Sequence, residues 1–202
     1  MSPDTLIAFS LFALVASITP GPNNIMLMTS GVNFGFRLTL PHLLGVTSGF
    51  LILMLAIGFG LAEIFTRLPW TFVILKWTGA LYLLYLAWRI AMSGPVQDTV
   101  PDGRVAKPMG FWGAVAFQWV NPKAWVMAAS AFSTYAPASS GMGTILIVST
   151  LFALLGMPCI IVWTLFGSGL RHVLQVRRNL MIFNYTMAAL LALSLYPLLD
   201  TS

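Results

Sequence analysis

Side chains able to bind or move a polar solute are scarce within the apolar runs of this chain, and two short stretches bring several of them together. The first, Ile18 to Met28, reads I-T-P-G-P-N-N-I-M-L-M and holds Pro20, Gly21, Pro22, Asn23 and Asn24 in the middle of an apolar run. The second, Gln118 to Ala124, reads Q-W-V-N-P-K-A and holds Gln118, Asn121, Pro122 and Lys123 in a similar setting. A proline lacks a backbone donor and clashes with the preceding turn, and glycine removes side-chain restraint, so regular helix should fail at both places. Broken backbone at membrane depth is tolerated only where it is packed in protein or lines a wet cavity. Pro20 and Pro122 lie 102 residues apart in a chain of 202, so the breaks occupy corresponding places in two halves. Such a matched pair points to a transporter's binding site.

Each candidate carries a functional and a structural reading. Asn23 and Asn24 open a new half-helix, whose exposed N–H groups and positive dipole end suit an anion such as an amino-acid carboxylate. Their amides offer a donor and an acceptor to the rest of the solute, or they cap the broken helix. A lysine at mid-membrane costs roughly 2.5 to 3.5 kcal/mol on insertion scales, so Lys123 should face a cavity or a partner. It is the candidate for binding the substrate carboxylate; alternatively it snorkels, or donates to carbonyls freed by Pro122. Lys76, early in the third apolar segment, either lines the path or reaches an interface with its long stem. Tyr82 lines the path or packs with Tyr85 and Trp88, which follow it at intervals of three. His42 titrates near neutral pH or serves as a satisfied interfacial histidine.

The five acids, Asp4, Glu63, Asp98, Asp102 and Asp200, all sit at segment ends or in a hydrophilic linker. A dication or bare metal ion would therefore cross without a countercharge, which favours a zwitterionic or neutral solute. It also denies any proton coupling an ordinary buried carboxylate, leaving Lys76, Lys123 or His42. The single cysteine, Cys159, excludes an internal disulfide and a cysteine metal cluster. Without a P-loop, dinucleotide fingerprint, HExxH or nucleophile elbow, the sequence indicates neither an enzyme nor a cofactor.

The elements that must position these residues are membrane helices. Hydrophobic residues make up 58% of the chain, charged residues 7%, and the mean hydropathy is +0.89. In that setting the net charge of +5 reads as a topology signal and not as a nucleic-acid footprint. Apolar segments long enough to span are expected at about 4–30, 38–62, 70–92, 109–133, 144–169 and 180–199. They divide as a first repeat over 1–93, a cytoplasmic linker over 94–108 and a second repeat over 109–202. Connections one, three and five carry Arg37, Arg89, Arg104, Lys107, Arg171, Arg177 and Arg178; the others and the termini carry only Arg67. The positive-inside rule places the former in the cytoplasm and both termini outside. Three spans per half force the halves to insert in opposite senses. The expectation is an all-α membrane protein of six helices, built as two inverted three-helix repeats with the first helix of each broken. The N-terminus has no basic n-region, so the first helix should be retained.

I-T-P-G-P-N-N (18–24), G-F-R (35–37), K-W-T-G-A-L-Y-L-L-Y-L-A-W (76–88) and F-W-G-A-V-A-F-Q-W-V-N-P-K-A (111–124) resemble the lysine-exporter superfamily. More closely, they resemble its homoserine/threonine-resistance branch of amino-acid efflux proteins. The likeness runs the length of the chain. It implies an exporter in the bacterial inner membrane, working on amino acids and their derivatives, driven by the proton-motive force and often dimeric. Exporters of lysine or arginine tend to carry G-P-Q-N, where this chain has Pro22, Asn23 and Asn24. Others carry an aspartate after P-G-P, absent here, so the resemblance does not extend to basic substrates or carboxylate coupling. A-K-P-x-x-F-W (106–112) and A-F-Q-W-V-N (116–121) look most like the exporters of cysteine and O-acetylserine. The expected function is efflux of small neutral amino acids such as these, homoserine or threonine. The rivals are export of basic amino acids or a metal cation, and a membrane scaffold.

Overall fold

Two helices in the computed structural model stop at the expected breaks and restart at once. The structure describes residues 1–61, 63, 67–93, 107–136 and 141–196, with no strand among them. Helix α1 (Pro3–Ile18) is followed by α2 (Pro22–Phe34), with the two axes bent by 53°. Helix α3 (Phe36–Ala56) widens into a π-helical turn, Ile57–Leu61, and α4 covers Pro69–Ala91. Helix α5 (Phe111–Val120) and α6 (Pro122–Tyr135) are separated only by Asn121, which adopts extended backbone (φ −86°, ψ 107°). Helices α7 (Met142–Val173) and α8 (Arg177–Leu193) follow. The expected linker lies outside the described residues over 94–106, as do Asp98, Asp102, Arg104 and Asp200.

Observed helices extend the expected segments at several ends, because a hydropathy count stops where polar residues begin while backbone hydrogen bonding does not. Arg177, Arg178 and Asn179, expected in a basic connection, form the first turn of α8. Pro158 leaves α7 continuous. An isolated proline is accommodated there by neighbouring helices, whereas Pro-Gly-Pro is not. Helices α3, α4 and α7 contain stretches long and apolar enough to cross a bilayer, and the bent α1–α2 pair makes a fourth if counted as one span.

The core is built around α2, in which every residue from Asn24 to Asn33 is buried. Its most extensive partner is α7, and the two backbones come close because both present glycine. A Cβ on Gly167 would stand 2.1 Å from the Met28 carbonyl oxygen, and one on Gly31 would stand 2.4 Å from that of Thr164. Gly45 and Gly49 give α3 the same intimacy with α5, against Phe111 and Val115. Between helices in lipid, such small-residue contacts supply the packing that hydrophobicity cannot. Gly35 has φ +83°, a left-handed backbone that lets α2 turn directly into α3. Leu53 of α3 clusters with Val148 and Phe152 of α7, and Leu43 with Ile160, so these two helices run antiparallel. Helix α4 packs on α8 and α5, away from that contact.

Candidate functional site

Ending α1 at Ile18 strips its last carbonyls of intrahelical donors. Asn24 answers two of them, its buried amide donating to the Ser17 oxygen at 2.8 Å and to that of Thr19 at 2.9 Å. The Trp163 indole N–H, from α7, donates to the Ile18 oxygen at 3.0 Å. The Lys123 ammonium, from α6, donates to the Thr19 oxygen and, at 3.4 Å, to that of Pro20. Lys123 therefore does stabilise freed carbonyls, but those of the first break and not those released by its own neighbour Pro122. The two breaks are thus tied together across 103 and 104 residues of sequence.

A second tie lies beside the first. Asn23 donates from Nδ2 to Gln118 Oε1 at 2.8 Å, and Gln118 returns a bond from Nε2 to Asn23 Oδ1 at 3.1 Å. Gln118 is fully buried and also donates to the Ala114 oxygen one turn earlier. Asn121 caps α6, its Oδ1 accepting from the Lys123 backbone N–H at 3.2 Å. Gly21, at the corresponding place before α2, offers no side chain and leaves the opening N–H groups of that helix uncapped.

Between the breaks lies a cavity of about 60 Å³. Its polar wall is Ser17, Gly21, Asn23, Asn24, Asn121 and Lys123, so the N-termini of α2 and α6 both border it. Its apolar wall comes from α3 (Val46, Phe50), α6 (Met127) and α7 (Met157, Ile160), with Thr47 the one hydroxyl on the α3 side. Two dipole ends and an ammonium give the polar wall positive character, and no described acid lines it. One end therefore suits a carboxylate, and the opposite wall suits a short, weakly polar side chain.

Pro20, Pro22 and Pro122 shape this site without lining it, and Gln118 stands behind Asn23. Lys76 and Tyr82 are not brought to the cavity: both are half-buried on α4, and the Tyr82 ring lies 5.9 Å from Phe117 and 6.0 Å from Tyr85. His42, for which an interfacial place was one expectation, is instead only 2% exposed, within α3. Trp163 and the cavity's apolar wall escaped sequence reasoning. A tryptophan in the body of a membrane helix, away from the interface where the residue collects, was the available signal. Among the described residues, no group of three or more His, Cys, Asp or Glu side chains is placed to hold a metal ion.

Residues 14–195 match the family model described as LysE type translocator. The chain belongs to that family. This translocator is similar to the cysteine/O-acetylserine efflux proteins of Escherichia coli (strain K12), Shigella sonnei (strain Ss046) and Shigella flexneri. Each is 39% identical over 171 residues, covering 83% of this chain and 84% of the relative. No solved structure matches it.

Proposed function

We propose that this protein exports small neutral amino acids, of the cysteine and O-acetylserine kind, across the bacterial inner membrane in exchange for protons. The observation that carries the reading is the meeting of the two broken helices at one cavity, with Lys123 and two helix N-termini on a single wall. The substrate carboxylate takes that wall, where it competes with the Thr19 and Pro20 carbonyls for the ammonium. Asn23 and Asn121 meet the remaining polar groups, and the side chain lies towards Met127, Met157 and Val46. A water-sized guest needs about 10 to 15 Å³ of such space, so the cavity suits a handful of heavy atoms and not a long basic chain. The matching relatives are named for efflux of cysteine and O-acetylserine, neither of which has a long basic chain.

Alternating access runs between two inverted three-helix repeats, over 1–93 and 109–202, joined by the cytoplasmic linker 94–108, with both termini outside. Support comes from the placing of the breaks, Gly21-Pro22 and Asn121-Pro122, and from antiparallel α3 and α7. Val46 and Phe50 of α3 and Ala153 and Met157 of α7, each pair four apart, line the same cavity. The exposed apolar face of α4, including Trp77, Leu81, Leu84 and Trp88, meets lipid or a second copy in a homodimer. Purified protein in vesicles should take up labelled O-acetylserine, faster with an opposing pH gradient. The Lys123→Ala variant should lose that transport at normal abundance; full transport in this variant would remove the carboxylate site, and none in the wild type would leave a scaffold.

A further inference from the structure

His42 is 2% exposed, and neither imidazole nitrogen has a hydrogen-bond partner among the described residues. A neutral imidazole carries one donor and one acceptor, and burying both unmatched costs free energy that an apolar residue of similar size would not incur. An orphan of this kind in a membrane helix asks for a functional explanation.

Its direction follows from its neighbours on α3. Thr39, three residues before it, bonds Ser30 of α2 at 2.9 Å, and Gly45, three after it, rests on Phe111 and Ala114 of α5. His42 lies between them on the helical wheel and so points into the seam where α2 and α5 flank α3. Val46, which lines the cavity, is one helical turn further on, a rise of about 6 Å. Helices α2 and α5 carry no titratable side chain. Of the other helices packed on α3, α6 contributes Lys123, engaged with the carbonyls of the first break, and Tyr135 at its far end, whose hydroxyl donates to the Ala8 oxygen. Helix α7 contributes Cys159, whose thiol faces the Leu14 and Leu155 oxygens, Arg171, which bonds the Phe34 oxygen, and exposed His172. Arg37 of α3 is exposed. Two further orphans among the described residues are the hydroxyls of Thr29 on α2 and of Ser149, which is fully buried one turn from cavity-lining Ala153 on antiparallel α7, so that His42 and Ser149 stand at opposite ends of the cavity.

We propose that His42 is the proton-carrying group of the exchange. The inference rests on the proton-exchange reading above. A proton entering through the cavity binds the free imidazole nitrogen; the resulting imidazolium has two donors and a charge, and in the closed seam neither nitrogen meets an acceptor or a countercharge among the described residues. Charging His42 therefore favours the arrangement in which α2, α3 and α5 separate and water reaches it from the cytoplasm, where the proton leaves. The neutral ring then lets the seam close behind the outgoing substrate. One proton moves inward and no covalent bond changes except N–H.

The test uses the full chain in proteoliposomes, with His42→Gln and His42→Leu beside the wild type. Counterflow, in which labelled O-acetylserine exchanges for unlabelled, needs no net proton movement, whereas accumulation driven by a pH gradient does. Both variants should keep counterflow and lose gradient-driven accumulation, together with the substrate-linked change in luminal pH reported by a trapped dye. Gradient-driven accumulation in either variant would overturn the assignment of His42. A wild type indifferent to the gradient would instead overturn proton exchange itself. Removal of an orphan should leave His42→Leu at least as heat-stable as the wild type; if neither variant folds, the ring is structurally satisfied and the inference falls.

Discussion

The reciprocal amide pair between Asn23 and Gln118 can be measured as an energy. It joins α2 to α5 by two hydrogen bonds, of 2.8 and 3.1 Å, between residues 95 apart in sequence. Interhelical hydrogen bonds in a membrane protein average about 0.6 kcal/mol in double-mutant cycles, so two bonds predict a coupling near 1.2 kcal/mol. Asn23→Ala and Gln118→Ala should each cost more than half of this, because each strands the partner's amide. Gln118→Ala should cost the more, since Gln118 is fully buried and also loses its bond to the Ala114 oxygen. That last bond lies within one helix and cancels from the cycle. The double variant should be more stable than the sum of the single losses allows, by the coupling energy. The measurement is reversible unfolding in mixed micelles by titration with a denaturing detergent, on all four proteins. Additivity to within about 0.3 to 0.5 kcal/mol would mean the amides do not act as a pair, and this tie between the two breaks would be refuted, leaving only that through Lys123.

Other consequences can be checked on the same material. Asn24→Ala removes the donor from the Ser17 oxygen while Thr19 keeps Lys123, and should cost about 1 to 3 kcal/mol of stability; Asn24→Asp should be no better, because a carboxylate cannot donate. Gly167→Ala places a Cβ 2.1 Å from the Met28 carbonyl oxygen and should force α2 and α7 apart, at a cost of at least about 1 to 3 kcal/mol in melting assays. Gly169→Ala, two residues along, meets nothing within 4 Å and should melt as the wild type does. Trp163→Phe keeps a six-membered aromatic ring but loses the indole N–H and so frees the Ile18 oxygen, and should lower stability by about 1 kcal/mol, with transport impaired if the break moves during the cycle.

Both breaks were legible because proline and glycine act on their own backbone, whatever the surroundings. Polar residues gathered at those breaks were enough to expect that the two would face one another, as the Asn23–Gln118 and Lys123–Thr19 bonds show. Where each donor would reach was not legible. Lys123 stands beside Pro122 in sequence yet serves the carbonyls before Pro20, a choice made by the packing of α6 on the end of α1. His42 misled for a similar reason: its neighbour Pro41 and its place early in a span resemble an interface, but the wheel of α3 turns it towards α2 and α5. Lys76 and Tyr82 were singled out by residue type, and type says nothing of which side of α4 meets the cavity. The apolar wall was hidden by composition, since Val46, Met127, Met157 and Ile160 are ordinary membrane-helix residues until two breaks are set against them.

The end of α1 depends on groups supplied long after it is made. Its exposed oxygens are served by α2, but also by a lysine 104 residues later and a tryptophan 145 residues later. During synthesis the opening hairpin enters the bilayer with this joint unfinished, and water must serve it until α6 and α7 arrive. A fragment stopping before α5 should accordingly insert but remain pliable at Thr19 to Gly21, open to cysteine-directed labelling there, and stiffen when the missing portion is supplied as a separate chain.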